Sequence, residues 1–240
     1  MWNSLIGKLP TTRNFPKIMT MRRNVEGYLA EACAVKLLKS GGVIALPTDT
    51  IYGIACDATN VEAIENLYHI KCRDENKPLA ICLGDIEDVK KWAIVDHLPS
   101  GLLQKLLPGP VTLIFQTVNQ YLDKSLMCYG KVGIRIPNYN FIRTIANELG
   151  KPLALTSANL SSKPSSVKIE EFQVIWDKLD GIFDGGDLSK YSISRSGSTI
   201  VDLSIKGVYT VVRTGMAIEN TCSILDSFEL RKLEKDSMGI

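Results

Sequence analysis

Short apolar runs alternate with amphipathic segments through most of this 240-residue chain, and this alternation constrains the fold more than any other feature. The apolar runs are typical of buried strands, and the segments between them follow helical spacing. Such alternation predicts an α/β fold, with a twisted, open sheet of mixed direction flanked by helices. No long Pro-, Gly- or Ser-rich linker divides the chain, so we expect one main domain.

The boundaries of these elements follow from turn and capping signals. Predicted strands cover 43–47, 78–83, 111–116, 132–137 and 152–158, with three more within GIFDGG, GSTIVDL and GVYTVVRTG. Predicted helices cover 25–39, a segment that opens with a capping box at Thr59 and ends near Lys71, and 86–93, 99–107, 140–149, 169–179 and 220–235. The apolar face of the first helix is expected to include Tyr28 and Leu29.

The stretch PTDTIYGI follows the first predicted strand and carries three hydroxyl groups and a carboxylate. Ligands of α/β domains bind beyond the carboxyl ends of strands, so this stretch is a candidate binding loop. The alternative is a polar turn in which Thr48, Asp49 and Thr50 bond to nearby backbone groups. The stretch by itself is compatible with both interpretations.

Composition and cysteine usage exclude several classes of protein. The chain is 45% hydrophobic and 22% charged, as globular proteins are, and no run approaches the roughly 18 apolar residues of a membrane-spanning helix, which predicts a soluble protein. Its six cysteines are scattered without a CxxC pair or a secretory signal, which favours free thiols in a reducing compartment. Cys56, His69 and Cys72 lack the spacing and the fourth ligand of a zinc site.

Charge is unevenly distributed along the chain. The formal net charge is +2, yet residues 1–25 contain five basic residues and no acid. The leader, residues 1–24, resembles a mitochondrial targeting segment, and a basic leader without a targeting role is the alternative. The remaining sequence is slightly acidic, which argues against a protein whose main task is to coat nucleic acid.

Polar residues fall repeatedly on the predicted strands or at their ends, and the loop KCRDENK adds Lys71, Arg73 and Lys77. No GxGxxG, GxxxxGK[ST] or GxSxG motif is present, and neither His69 nor His97 lies in a motif typical of a catalytic base. Cations and small donors without a nucleophile suit an anionic substrate, as in phosphoryl or nucleotidyl transfer. The polar residues at strand ends are Thr48, Asp49, Thr50, Thr112, Arg135, Thr156, Ser157, Asn159, Ser198, Thr199 and Arg213.

Arg135 differs from the other cations because it interrupts the apolar run VGIRIP. A guanidinium group on a buried strand costs several kcal/mol unless it is paired. A carboxylate therefore has to meet Arg135, either from the chain or from a ligand. Lys71, Arg73 and Lys77, by contrast, are also compatible with an ordinary solvated loop.

Seven segments resemble, in order, the motifs of the YrdC-like threonylcarbamoyl-AMP synthase family. The likeness spans about residues 25–220, the predicted catalytic domain, and leaves 221–240 as a C-terminal helix and tail. The lysine-x-arginine element of the family corresponds to Lys71-Cys72-Arg73, and its serine-x-asparagine element to Ser157-Ala158-Asn159. The likeness is to the short, single-domain form found in animals. The segments are PTDTIYGI, KCRDENKPL, LLPGPVTLI, VGIRIP, LTSANLS, GSTIVDL and VVRTG.

The resemblance implies a YrdC-like sheet with a large concave cleft, and an enzyme that uses L-threonine, bicarbonate and ATP. Its products would be threonylcarbamoyl-AMP and pyrophosphate, and Mg²⁺ is expected to accompany the ATP. A partner transferase complex would then place the threonylcarbamoyl group on adenosine 37 of tRNAs that read codons beginning with A. The implied location is the cytoplasm, with mitochondria as a second location if the leader is a targeting segment.

The same resemblance implies roles for individual residues. Thr50, Arg135 and Ser198 would bind threonine, with Arg135 taking its carboxylate. Asp49 is a candidate for a contact with metal or water, and no metal ligand is assigned. The catalytic residues would be Lys71, Arg73, Ser157 and Asn159, and the ATP pocket would consist of Lys71, Arg73, Lys77, Thr112, Ser157, Asn159 and Arg213.

Two positions depart from the family pattern: many relatives carry histidine in place of Cys82, and asparagine is frequent in place of Lys77. An alternative function is a non-catalytic double-stranded RNA or tRNA binder, whose affinity would fall steeply with salt. A domain that transfers a carbamoyl group from carbamoyl phosphate is a second alternative, although such domains usually belong to larger chains.

Overall fold

The structure, a computed structural model, describes residues 18–21, 25–74, 77–118, 122–160, 163–190 and 194–234. Within these residues one mixed, unclosed sheet of twelve strands is flanked by five α-helices, which confirms the predicted α/β fold. The strands are β1 (Ile18–Thr20), β2 (Ile44–Leu46), β3 (Gly53–Asp57), β4 (Ala80–Cys82), β5 (Val111–Gln116), β6 (Met127–Cys128), β7 (Lys131–Arg135), β8 (Leu153–Ser157), β9 (Gly181–Asp184), β10 (Thr199–Asp202), β11 (Val208–Arg213) and β12 (Arg231–Leu233). The helices are α1 (Val25–Lys39), α2 (Val61–Lys71), α3 (Leu102–Leu106), α4 (Asn140–Leu149) and α5 (Ile218–Ser227).

The order of strands brings the segments with polar ends close together. The sheet runs β1-β9-β2-β3-β8-β4-β7-β5-β10-β11-β12, with β6 paired to β7 off this path. Strands β4 and β7 are parallel, as are β5 and β10, whereas β8/β4, β7/β5 and β10/β11 are antiparallel. The strands β8, β7, β5, β10 and β11, which carry most of the predicted polar residues, are therefore close neighbours.

Helix α1 packs through a stripe of small residues. Ala30, Ala34 and Leu38 are fully buried in a cluster that also contains α4 and one face of the sheet. The prediction that Tyr28 and Leu29 belong to the buried face is wrong, because both are exposed. Alanine side chains let α1 approach its neighbours closely, and a pattern drawn from large apolar residues overlooks them.

The start of α2 also differs from the sequence prediction. Asn60, not Thr59, is the N-cap: its side chain accepts a hydrogen bond from the backbone N–H of Ala63 at 3.1 Å. The Thr59 hydroxyl instead donates to Asp57 Oδ1 at 2.7 Å. Asp57 is buried and also pairs with Lys151, so it needs several donors, and it takes the hydroxyl that the capping box would use.

Three further helix predictions are wrong in kind or length. The segments predicted as helices at 86–93 and 169–179 form 3₁₀ helices, Ile86–Lys91 and Ile169–Lys178, and shorter ones cover Lys124–Leu126 and Leu188–Lys190. The last helix ends at Ser227 instead of near 235, because Glu229 adopts a left-handed conformation (φ 61°) and turns the chain into β12.

Segments on both sides of the predicted domain contribute to the sheet. Ile18–Thr20, within the predicted leader, pairs with β9, and residues 231–233, within the predicted C-terminal tail, pair with β11. The rest of the leader, residues 1–17 and 22–24, lies outside the described residues, as do 235–240. In the described part of the chain, no helix combines the length and the apolar character required to cross a membrane.

The six cysteines are free thiols. Burial raises the pKa of Cys56, and it raises the pKa of Cys82 to about 12. Cys82 pairs with Arg135 in the sheet, so the residue that departs from the family pattern lies beside the cation that interrupts β7.

Candidate active site

One row of paired residues crosses the sheet and carries several of the predicted polar side chains. Thr112 on β5 pairs with Arg135 on β7 and with Ile200 on β10, and Ile200 pairs with Arg213 on β11. Paired residues of neighbouring strands project from the same face of a sheet. Thr112, Arg135 and Arg213 therefore point to one side, although they are far apart in the sequence.

A cleft opens on this side of the sheet. Its empty space, including the solvent at its open mouth, is about 740 Å³. Leu79, Leu155 and Ile200 give it apolar walls. Of the ten residues to which the family resemblance gives a catalytic or binding role, six line the cleft: Arg73, Thr112, Arg135, Ser157, Ser198 and Arg213.

The loop after β2 holds the guanidinium group of Arg135. Nη2 of Arg135 donates to Asp49 Oδ1 at 2.6 Å, to Thr50 Oγ1 at 2.7 Å and to Thr48 Oγ1 at 3.2 Å. The side chains of Arg135 and Asp49 are only 9% and 8% exposed. The carboxylate that the sequence requires for Arg135 thus comes from the chain itself.

Thr50 lies beneath the surface of the cleft and bonds to Arg135, which lines it. It is fully buried and is not part of the cleft wall. Because the Thr48 hydroxyl donates to Ile51 O at 2.7 Å, the Thr50 hydroxyl donates to Thr48 Oγ1 at 3.1 Å while it accepts from Arg135. The hydroxyls of this loop satisfy a local turn, as the second interpretation predicts, and they also hold a cation of the cleft. Ligand binding by the loop stays a prediction. Direct contact between Thr50 and a threonine substrate stays a prediction.

Thr112, Ser198 and Arg213 form a hydrogen-bonded group in the cleft wall, next to Arg135. Thr112 Oγ1 and Ser198 Oγ are 2.8 Å apart, and Nη2 of Arg213 donates to Ser198 O at 2.8 Å and to Ser198 Oγ at 3.1 Å. The pKa of Arg213 is lowered by burial of its guanidinium group and then by the charges of Arg135 and Arg73. Three cations that repel one another in this way favour an anionic ligand between them.

Arg73 and Lys77 come from the charged loop but differ in position. Arg73 lines the cleft, and its Nε donates to the carbonyl oxygen of Lys77 at 3.0 Å. The side chain of Lys77 is exposed and does not line the cleft. A contact between Lys77 and ATP stays a prediction.

Lys71 is buried beneath the cleft and is not solvated, as an ordinary loop lysine would be. It is 2% exposed, and its Nζ donates to Ser157 O at 2.7 Å and to the carbonyl oxygen of Asn159. Burial lowers the pKa of Lys71 to about 8, and the charge of Arg73 contributes to the same shift. Lys71 therefore anchors the end of α2 to the backbone that follows β8.

The burial of Lys71 predicts how its contribution to stability depends on pH. Below pH 8 the amine is charged in the folded and unfolded states, and the cost of burying the charge is present in full. Between pH 8 and the unfolded pKa, about 10.4, the unfolded state binds more protons, so stability rises with pH. We expect the free energy of unfolding of the wild type, measured by urea titration relative to Lys71→Met, to increase by about 2 kcal/mol from pH 7 to pH 9.5. A constant difference over this range would contradict the burial of a charged amine.

Ser157 and Asn159 occupy the segment that Lys71 anchors. Ser157 lines the cleft, whereas Nδ2 of Asn159 donates to Leu160 O at 2.9 Å and to Lys163 O at 2.6 Å. Asn159 Oδ1 is buried and has no hydrogen-bond partner among the described residues. The contacts of Asn159 with ATP stay a prediction.

The sequence analysis missed a rim made by two loops at the mouth of the cleft. Ser165 and Ser196 line the cleft from these loops. Arg195 joins them: its Nη1 and Nη2 lie 2.9 Å and 2.7 Å from the two carboxylate oxygens of Glu171, and Nη1 also donates to Ser165 O at 3.0 Å. The only sequence signal was the paired serines of SSKPSS and SISRSGS, which are as typical of an ordinary loop.

The donors around the cleft do not fit a metal ion held by the protein. No cluster of three or more His, Cys, Asp or Glu side chains that could hold a metal occurs in the described ranges. Asp49, the metal or water candidate, has both oxygens engaged: Oδ1 pairs with Arg135, and Oδ2 accepts from the backbone N–H of Asn138 at 2.8 Å. His97 bonds to Leu203 O at 2.8 Å and is remote from this chemistry.

An open α/β sheet with three arginines around one cleft is typical of enzyme domains that act on anionic small molecules. The chain matches the Sua5/YciO/YrdC family model, described as "Telomere recombination", over residues 36–215. The chain belongs to this family, which confirms the resemblance seen in the sequence.

Named relatives and a solved structure support the same grouping. A bovine protein named threonylcarbamoyl-AMP synthase is 48% identical over 200 residues, covering 82% of this chain and 72% of the relative. A human protein of the same name is 47% identical over 195 residues, covering 80% and 69%. The crystal structure of P. abyssi Sua5 complexed with L-threonine is 25% identical with a TM-score of 0.74, and covers 90% of this chain but 62% of the archaeal one.

Proposed function

We propose that this chain is an L-threonylcarbamoyladenylate synthase, which converts L-threonine, bicarbonate and ATP to threonylcarbamoyl-AMP and pyrophosphate. The observation that carries the proposal is the convergence of Arg73, Arg135 and Arg213 on one cleft. The names of the mammalian relatives and the complex of the archaeal protein with L-threonine support it.

In this proposal the amino acid binds at the Arg135 side of the cleft. Nη1 of Arg135 has no acceptor among the described residues, whereas Nη2 is occupied by the loop after β2. A planar guanidinium group binds carboxylates well, so it takes the carboxylate of L-threonine. Ser198, which bonds to Thr112, the strand neighbour of Arg135, offers a hydroxyl in the same cleft. The threonine ammonium group and bicarbonate then give a carbamate, with loss of water and a proton.

The second step joins two anions. An oxygen of the carbamate attacks the α-phosphorus of ATP, the bond from that phosphorus to the bridging oxygen of the β-phosphate breaks, and pyrophosphate leaves. In water the carbamate and the triphosphate repel each other. Arg73 and Arg213, both in the cleft wall, reduce this repulsion and bind the phosphate charge, while Lys71 acts by holding the backbone of Ser157 and Asn159 in place.

Mg²⁺ enters this proposal as part of the substrate Mg·ATP. The described residues offer the cleft no carboxylate cluster, so the ion would be bound by phosphate oxygens and water, as Mg²⁺ commonly is. The protein supplies the arginines and hydroxyls.

The reactivity of the product indicates that another enzyme has to consume it. A mixed anhydride of a carbamate and AMP is reactive and needs an acceptor, which in this proposal is adenosine 37 of tRNAs reading codons that begin with A, acting with a threonylcarbamoyl transferase complex. We propose a cytoplasmic location, with a mitochondrial fraction directed by the basic segment 1–24.

Pyrophosphate release tests the proposed function. The purified full-length chain is incubated with Mg·ATP and bicarbonate together with L-threonine, L-serine or no amino acid. We expect release with threonine, slower release with serine and none above background without an amino acid or without bicarbonate. Release that is independent of the amino acid would contradict the proposal.

The ion pair at the rim gives a smaller prediction. Glutamine at position 171 presents one acceptor oxygen to Arg195 instead of two, so the serine loops are held less tightly. Because the pair is half exposed, we expect Glu171→Gln to lower kcat/KM for ATP only about two- to fivefold. The control is Asp187→Asn, which breaks a comparably exposed pair with Lys168 away from the cleft and should leave kcat/KM unchanged. Equal effects of the two variants would count against a role for the rim.

A further inference from the structure

Asp49 bridges two loops at the edge of the cleft. Its Oδ1 lies 2.6 Å from Arg135 Nη2, and its Oδ2 accepts from the backbone N–H of Asn138 at 2.8 Å. Asn138 lies three residues beyond Arg135, in the loop after β7, whereas Asp49 belongs to the loop after β2. Both oxygens of this 8% exposed carboxylate are thus used to join the two loops.

The same contacts restrict the guanidinium group of Arg135. Nη2 is held by the carboxylate and by the hydroxyls of Thr48 and Thr50. Nε is buried and has no partner among the described residues, and none of them accepts from Nη1. With one nitrogen fixed by three acceptors, the planar group cannot rotate freely, and Nη1 stays available to a ligand in the cleft that Arg135 lines.

We propose that Asp49 is a positioning residue that fixes the guanidinium group of Arg135 for the carboxylate of the amino acid substrate. This inference rests on the proposed function. It assigns Asp49 to neither metal nor water, since both of its oxygens are already occupied. Its effect should therefore appear in the recognition of the amino acid and not in that of the nucleotide.

Asp49→Asn tests the inference with almost no change of volume. The two donors that face residue 49, Arg135 Nη2 and the N–H of Asn138, both need an acceptor, and an amide has only one acceptor oxygen. We expect the KM for L-threonine to rise on the order of tenfold, with the KM for ATP within about twofold of the wild type. Threonine binding measured by calorimetry should weaken by a similar factor, and preference for L-threonine over L-threoninol, which has no carboxylate, should fall.

Asp57→Asn is the matched control. Asp57 is also buried and paired with a cation, Lys151 at 2.9 Å, but it lies at the end of β3 remote from Gly53, which lines the cleft. Its loss should lower stability without changing the KM for threonine. An equal rise in the threonine KM of both variants, or an unchanged KM in Asp49→Asn, would overturn the inference.

Asp49→Glu carries the test if Asp49→Asn does not fold. It keeps the buried charge but is one methylene longer, so it cannot keep both contacts at their present distances, and we expect the same selective rise in the KM for threonine. Wild-type KM values in Asp49→Glu would overturn positioning. Absence of threonine-dependent pyrophosphate release in the wild type would overturn the proposed function instead, so the two failures are distinguishable.

Discussion

Replacing Arg73 with alanine is expected to lower kcat/KM for ATP by about 100- to 1,000-fold while the fold stays intact, because the cleft loses a cation directed at the charge of the transferring phosphate. Arg73 lines the cleft, and its guanidinium group bonds to the backbone carbonyl oxygens of Lys77 and Pro78 in its own loop and contacts the neutral side chain of Tyr68. Its removal therefore leaves no buried charge unpaired. The measurement is pyrophosphate release at saturating threonine, with the melting temperature recorded alongside.

Lys77→Ala is the matched control for Arg73. Lys77 carries the same charge in the same loop, but its side chain is exposed and outside the cleft wall. We expect Lys77→Ala to change kcat/KM no more than a few-fold, since an exposed charge is screened by water and salt. A larger loss for Lys77→Ala would instead support the ATP contact that the family resemblance implies for Lys77. An equal loss in both variants would mean that general attraction of the nucleotide, and not contact in the cleft, explains the effect.

Replacing Arg135 with methionine is expected to abolish threonine-dependent activity and to lower the free energy of unfolding by about 3–5 kcal/mol. The stability loss arises because Asp49 would remain buried without its counter-charge. In the double variant Asp49→Asn with Arg135→Met, neither of these two positions buries a charge, and part of the stability should return. Activity should not return, since the carboxylate of the substrate still has no cation to bind.

Urea titration and pyrophosphate release of the three variants separate the structural role of the pair from its functional role. The pattern expected is recovery of stability in the double variant without recovery of activity. Activity in the double variant would remove Arg135 from the amino acid site. Equal stability of wild type and Arg135→Met would show that the ion pair is not buried as described.

Sequence patterns were sufficient for the α/β class because periodicity is a local property. The apolar runs located β2, β4, β5, β7 and β8, but they missed β3 (Gly53–Asp57), a buried central strand whose residues were predicted to be a binding loop or a turn. The helix predicted over 140–149 ends as expected at Gly150, which adopts φ 71°. Errors arose where tertiary contacts override local signals. The Thr59 hydroxyl donates to Asp57 instead of capping the helix. Tyr28 is exposed because the small residues Ala30 and Ala34 form the buried face of α1.

The candidate site was predictable in composition but not in geometry. A buried arginine demands a carboxylate, and the structure supplies Asp49, but only the pairing of strands shows that Thr112, Arg135 and Arg213 share one row. The sequence also cannot distinguish a solvated lysine from a buried one. Lys71 is the first residue of the charged stretch KCRDENK, yet it is 2% exposed and its amine donates to a backbone carbonyl oxygen.

A crystal structure of this protein with L-threonine and an ATP analogue that has a methylene bridge between the α- and β-phosphates tests the central claim most directly. We expect both ligands in the one cleft, with the threonine carboxylate in hydrogen-bond distance of Arg135 and the phosphates against Arg73 and Arg213. Binding of either ligand elsewhere on the molecule, or in the cleft without contact to these arginines, would contradict the account.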